Sequence, residues 1–155
     1  MLNDKHVSKM CTETAQILSN IIPKSRLSQA PRNAEGGVRK YSYPKHPCCL
    51  WVKKSPRHAE WTFKHGIALA NEKMYRYPNN KPHFCVEFLS WVGENLWSFN
   101  YDNFGWINPP QCMPDEYKNT DTVTAYRNYY NGEKLYFSKW TKRNIPYWVD
   151  KSLLV

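Results

Sequence analysis

The sequence predicts a mainly α-helical, single compact domain with long loops, and three observations carry that expectation. Apolar residues recur at three- and four-residue spacing in several segments, helix-start residues stand in front of those segments, and no stretch shows the two-residue alternation of a half-buried strand. The chain has 155 residues, 41% of them apolar and 15% aromatic, so one core can form without staples and residues 1–155 read as one domain.

Taken in order, Asn3 or Asp4 can cap a first helix, which Val7, Met10, Thr14, Ile17 and Ile21 continue to about Ile22, before Pro23. Lys24 to Pro47, with three prolines and Gly36-Gly37, reads as a long loop. Ser55 and Pro56 then make a helix start, Ser at the cap and Pro in the first turn, and Trp61, Phe63, Ile67, Ala70 and Met74 carry that helix to about Tyr77. Pro78-Asn79-Asn80 stops it. His83 to about Val92 predicts a third, shorter helix, and Gly93 to Pro114 a second long loop. Thr120 or Asp121 can cap a last helix reaching about Arg143, with Gly132 as its weak point, and Pro146-Tyr147-Trp148 forms an aromatic tail.

Charge narrows the function. Lys and Arg number 22 against 13 Asp and Glu, giving +9 and a pI near 9.3, a field that attracts phosphate polyanions. Seven Trp, eleven Tyr and six Phe among those cations suit stacking on flipped or single-stranded bases, although about half of the rings must serve the core. No uncharged apolar run approaches the ~20 residues that span a bilayer, so no membrane partner is expected. The N-terminus lacks the pattern of a secretory signal, so a cytoplasmic location is expected. Five cysteines, two of them adjacent (Cys48, Cys49) and none in a C-x-x-C pair, predict reduced thiols and no disulfide framework. His46-Pro47-Cys48-Cys49 and His83-Phe84-Cys85 offer soft ligands, but neither has a familiar zinc spacing, so neither a metal nor a cofactor is expected. Nucleotide hydrolysis is not indicated, because a glycine-rich phosphate loop and a serine nucleophile elbow are both missing.

Three constellations remain. On the first helix His6, Lys9 or Met10, and Glu13 share a face that could be a site; spacing alone favours a solvated face with an i,i+4 pair between Lys9 and Glu13. On the second, Trp61, His65, Ala68, Glu72 and Arg76 form a stripe whose simplest reading is a surface Glu72–Arg76 pair. Near the C-terminus rings and cations alternate. Arg127, Tyr129, Tyr130, Lys134, Lys139, Trp140 and Arg143, with Lys9, are the expected nucleic-acid contacts.

The segments Asp4-Lys5-His6-Val7-x-Lys9-Met10-x-x-Glu13-Thr14-Ala15-Gln16, His46-Pro47-x-x-x-Trp51-Val52, Glu72-x-x-x-Arg76-Tyr77, Met113-Pro114-Asp115-Glu116-Tyr117-Lys118, Ala125-Tyr126-Arg127-x-Tyr129-Tyr130, Lys139-Trp140 and Arg143-x-x-Pro146-x-Trp148 resemble a family of short phage proteins. That family is distantly similar to the phage pyrimidine-dimer DNA glycosylases, small all-helical enzymes that are also abasic-site lyases. Asp4-x-His6 followed by Glu13, and the Tyr126 to Lys134 stretch, carry this second similarity. The resemblance implies a pyrimidine-dimer-glycosylase-like helical fold, a DNA partner, and Glu13 as the catalytic carboxylate with His6 and Arg76 beside it. It also implies an α-amine nucleophile, which would be that of Met1. Only five residues precede His6, fewer than in those enzymes, so either the start is shortened, or the lyase function is lost or passed from Met1 to Lys5 or Lys9. The function expected is a basic phage-type DNA-binding protein acting as a glycosylase and abasic lyase, or as another base-modifying enzyme on a flipped base. The alternative is a non-catalytic phage protein that binds nucleic acid or a host defence component.

Overall fold

The computed structural model describes residues 1–103 and 105–154; Phe104, within the expected Gly93–Pro114 loop, and Val155 lie outside the described residues. Among the described residues there are five α-helices and no strand. They are α1 (Asp4–Ser19), α2 (Pro47–Lys54), α3 (Pro56–Arg76), α4 (Val86–Asn95) and α5 (Thr122–Glu133). Short 3-10 turns fall between and after them, including Leu96–Ser98, Asp115–Tyr117 and Leu135–Phe137. The all-helical class is the one the sequence predicts.

Local chemistry fixes where each helix starts. Asn3 caps α1, its side-chain oxygen accepting from the His6 N–H at 2.9 Å, and Asp121 caps α5 through the Thr124 N–H at 2.8 Å. α1 stops at Ser19, short of the expected Ile22, because the Asn20 amide turns back onto the carbonyls of Gln16 and Ile17 and also reaches Ser42. α2 is a helix that the sequence pattern does not predict, beginning where the expected Lys24–Pro47 loop ends. His46 caps it by accepting from the Cys48 N–H at 3.2 Å, and Pro47 supplies its first turn. Ser55 is extended (φ −153°, ψ 140°) because a residue ahead of proline is barred from helical geometry; α2 ends there and Pro56 opens α3 in a new direction.

α5 ends ten residues before the expected Arg143. Beyond it Leu135–Phe137 tightens into a 3-10 turn, and Lys142 adopts a left-handed φ of 56° that no continuing helix allows. Tertiary burial decides this: Leu135 and Trp140 turn inward with Tyr130 and Val149 to form a small cluster.

The main core lies among α1 to α4. Val7, Cys11 and Leu18 of α1 meet Val52 of α2, Ala59 and Ala70 of α3, and Phe88, Leu89 and Val92 of α4. Each fully buried Leu or Phe of this set contributes about 1.5–3 kcal/mol by leaving water. α1 and α3 approach closely because position 66 is glycine: a Cβ there would stand 2.7 Å from Thr14 Cγ2 and 3.0 Å from a Leu89 methyl. No helix among the described residues is long and apolar enough to cross a membrane.

Candidate active site

Arg76 is the largest of the wholly buried side chains. Its Nη1 meets Asp4 Oδ1 at 2.7 Å, its Nε meets Glu72 Oε1 at 2.8 Å, and its Nη2 donates to the Leu2 carbonyl at 3.0 Å. The sequence reading of a surface Glu72–Arg76 pair is thereby corrected: α3 turns Arg76 inward, where desolvation demands partners from other segments as well as from its own helix. Glu72 also takes a two-pronged grip from Arg143, at 2.8 and 2.7 Å. Hydrogen bonding from Arg143 outweighs the opposing effect of burial and, with Arg76, holds the Glu72 carboxyl down at about 2. For Asp4, burial pushes upward, but the Thr141 hydroxyl and Arg76 pull further and leave its carboxyl below the ordinary value.

The Met1 amine sits at this end of α1. Burial lowers its pKa, and the positive charges of Arg127 and Arg76 lower it further, so it is neutral more often than a free α-amine.

His6 and Glu13 occupy the other face of α1, seven residues and about 10 Å apart along the axis. Glu13, 37% exposed, pairs with Lys9 Nζ at 3.1 Å. His6 Nδ1 lies 3.0 Å from the Tyr130 hydroxyl, which itself accepts the Asn3 N–H at 2.8 Å. The Tyr130 hydroxyl thus links the start of the α1 backbone to the His6 ring. Burial, together with Lys9 and Lys134, lowers the His6 pKa and favours a neutral ring.

The residues expected at the site therefore divide into two groups. Met1 and Arg76 stand with Glu72 and Asp4 at the helix start, whereas His6, Lys9 and Glu13 form a separate row. Nine helical steps separate Asp4 from Glu13, about 13 Å, so the amine beside Glu13 is that of Lys9 and not that of Met1.

The expected nucleic-acid contacts divide as well. Trp140 is corrected to a core residue, 8% exposed, and Tyr130 is equally buried, because both fill the C-terminal cluster. Arg143 is engaged by Glu72 and lies 3.9 Å from the centre of the Tyr75 ring. Arg127 stacks over Tyr147 and Trp148, Lys134 lies 4.7 Å over Tyr129, and Lys139 is exposed. The sequence analysis did not single out Tyr136, an exposed ring beside Phe137, nor Cys112, whose sulfur lies 3.7 Å from that of Cys48. Burial, with Cys112 adding to it, pushes the Cys48 thiol up to about 12, and the Glu13 charge reaches it too. His83 and Cys85 lie elsewhere, near Thr12 and Arg39.

No curated protein and no solved structure matches the chain. The family model described as pyrimidine dimer DNA glycosylase matches residues 1–84. The match spans α1, α2 and α3, and takes in Met1, His6, Lys9, Glu13 and Arg76. It covers more than half of the sequence, and on that ground the chain belongs to the pyrimidine dimer DNA glycosylase family.

Proposed function

We propose that the protein binds DNA across the exposed face of α1 and excises a base there, with Glu13 as the central carboxylate and Lys9 as the amine. The observation that carries this reading is the Glu13–Lys9 contact at 3.1 Å, inside the stretch that matches the family. An amine that attacks the sugar C1′ replaces the bond to the base and leaves an imine on the sugar, from which strand cleavage follows. The carboxylate takes the proton from the amine and opposes the positive charge that develops on the sugar. His6, whose pKa is lowered by burial and the nearby lysines, stands in the same row. Arg76 supports this face only indirectly, by fixing the start of α1. Lys5, Lys134 and Lys139 add the charge that draws in phosphates.

The test uses duplexes carrying a pyrimidine dimer or an abasic site. Glu13→Gln keeps shape and loses charge, so base release should fall by about 10²–10³ while DNA binding persists. Borohydride should trap a covalent adduct with the parent protein, and Lys9→Arg should abolish that adduct. Duplex affinity should drop by roughly 10²–10³ between 50 and 200 mM salt, for about five neutralised phosphates. Retained binding with neither base release nor trapping on either substrate would replace this reading with that of a non-catalytic DNA-binding protein.

A further inference from the structure

Two cysteines and a histidine from distant parts of the chain meet beside the start of α2. One ligand atom each from His46, Cys48 and Cys112 lie within 4.8 Å of one another. We propose that these three residues hold a single zinc ion, with a water in the fourth position.

The sulfur spacing supports this. Two thiolates bound tetrahedrally at about 2.3 Å from zinc stand about 3.8 Å apart, the edge of the tetrahedron. Cys48 and Cys112 already stand at 3.7 Å, far from the roughly 2.05 Å of a disulfide. The histidine is prepared as well. His46 Nδ1 accepts the Cys48 N–H at 3.2 Å, so that nitrogen is the unprotonated one, and its long capping bond is a weak one to exchange for a metal. Cys48 follows Pro47 in the first turn of α2, which fixes its place beside His46. Cys112 belongs to the loop before α5, and that loop is held in place independently: the Tyr126 hydroxyl donates to the Pro110 carbonyl at 2.8 Å and accepts from the Cys112 N–H.

Thiolate and imidazole are the donors zinc prefers over the harder divalent cations, and two thiolates balance its charge. Binding releases the two thiol protons to solvent and changes no oxidation state. The ion would clip the loop before α5 to the start of α2. The sequence hides this set because Cys112 lies 64 positions beyond Cys48. The sequence joins His46 and Cys48 with His83 and Cys85 as one possible ligand set of unfamiliar spacing, and His83 and Cys85 do not join the group.

The experiment titrates the reduced, metal-stripped full chain with Zn²⁺, and in parallel with Co²⁺ as a spectroscopic probe. One zinc per chain is expected, with the visible bands of tetrahedral Co²⁺ and a near-ultraviolet thiolate-to-cobalt band. Cys112→Ser and His46→Ala, both at exposed positions, should weaken zinc binding at least about 100-fold, beyond the 10–100-fold typical of an outer-shell change. Cys49→Ala should keep it. Three results would overturn the proposal: substoichiometric zinc, a cobalt spectrum without the thiolate band, or a Cys112→Ser protein that binds as tightly as the parent.

Discussion

The helical core from α1 to α4 and the C-terminal segment from α5 onward are held by different forces. In the first, Leu18, Val52, Phe88 and Leu89 are wholly buried and close-packed, so stability there comes from apolar area removed from water. In the second, the buried apolar cluster is small, Tyr130, Leu135, Trp140 and Val149, and the chain is pinned to the first region by polar bonds. The Asp4 N–H donates to the Lys139 carbonyl at 2.8 Å, Asp4 accepts from the Thr141 hydroxyl at 2.7 Å, and Glu72 grips Arg143. Arg76 anchors both carboxylates, so Asp4, Glu72, Arg76 and Arg143 form a charge-balanced knot between the regions. An apolar core loses stability in proportion to deleted volume, whereas such a knot fails when one charge is removed and the others stay buried.

The strongest way to break the contrast is Arg76→Met. It leaves Asp4 without its ion-pair partner and Glu72 with Arg143 alone, and should cost about 3–5 kcal/mol in urea unfolding. Hydrogen exchange should show the loss first around Thr141 and Arg143. Next, the same deletion in both regions sharpens it: Leu18→Ala should cost about 2–5 kcal/mol, and Leu135→Ala a value at the low end, because its shallow cluster can collapse. Equal losses would mean that the C-terminal cluster is as tightly packed as the main core.

Acid gives a third test. Glu72 titrates near 2 when folded, against about 4.3 when unfolded, so the stability it brings is complete above about pH 4.5 and falls away as the pH drops toward 2. Asp4 is shifted the same way. The lowered pKa of His6 adds a loss that begins below about pH 6.5, since the unfolded ring takes up a proton first. Melting curves from pH 7 to pH 3 should show both phases, and the lower one should shrink in Arg76→Met. The smallest effect is expected for Arg143→Ala, because its side chain is solvated and Glu72 keeps Arg76.

Much of this was readable from the sequence. α1 and α3 announce themselves through Asn3, Ser55 and Pro56 with a helical apolar period behind them, and the Lys9–Glu13 pair follows from spacing alone. α2 was obscured because its cap is a histidine amid prolines. α5 was extended too far, since rings and cations continue past Glu133 with helix-compatible spacing and only the inward turn of Leu135 and Trp140 ends it. The burial of Arg76 could not be foreseen either. Its partner Asp4 lies 72 residues away, and pattern along one helix does not reveal which face another segment will cover.

The hydrogen bonds through Tyr130 tie the two regions together in a further sense. Asn3 donates to the Tyr130 hydroxyl, which stands 3.0 Å from His6 Nδ1, so a residue outside the family-matched stretch is the hydrogen-bond partner of the imidazole within it. The acid–base character of the α1 face is thus not portable. Grafted into another context without α5, the same His6 would lose that partner, and the ¹⁵N chemical shifts of its ring in Tyr130→Phe would register the change in its protonation equilibrium.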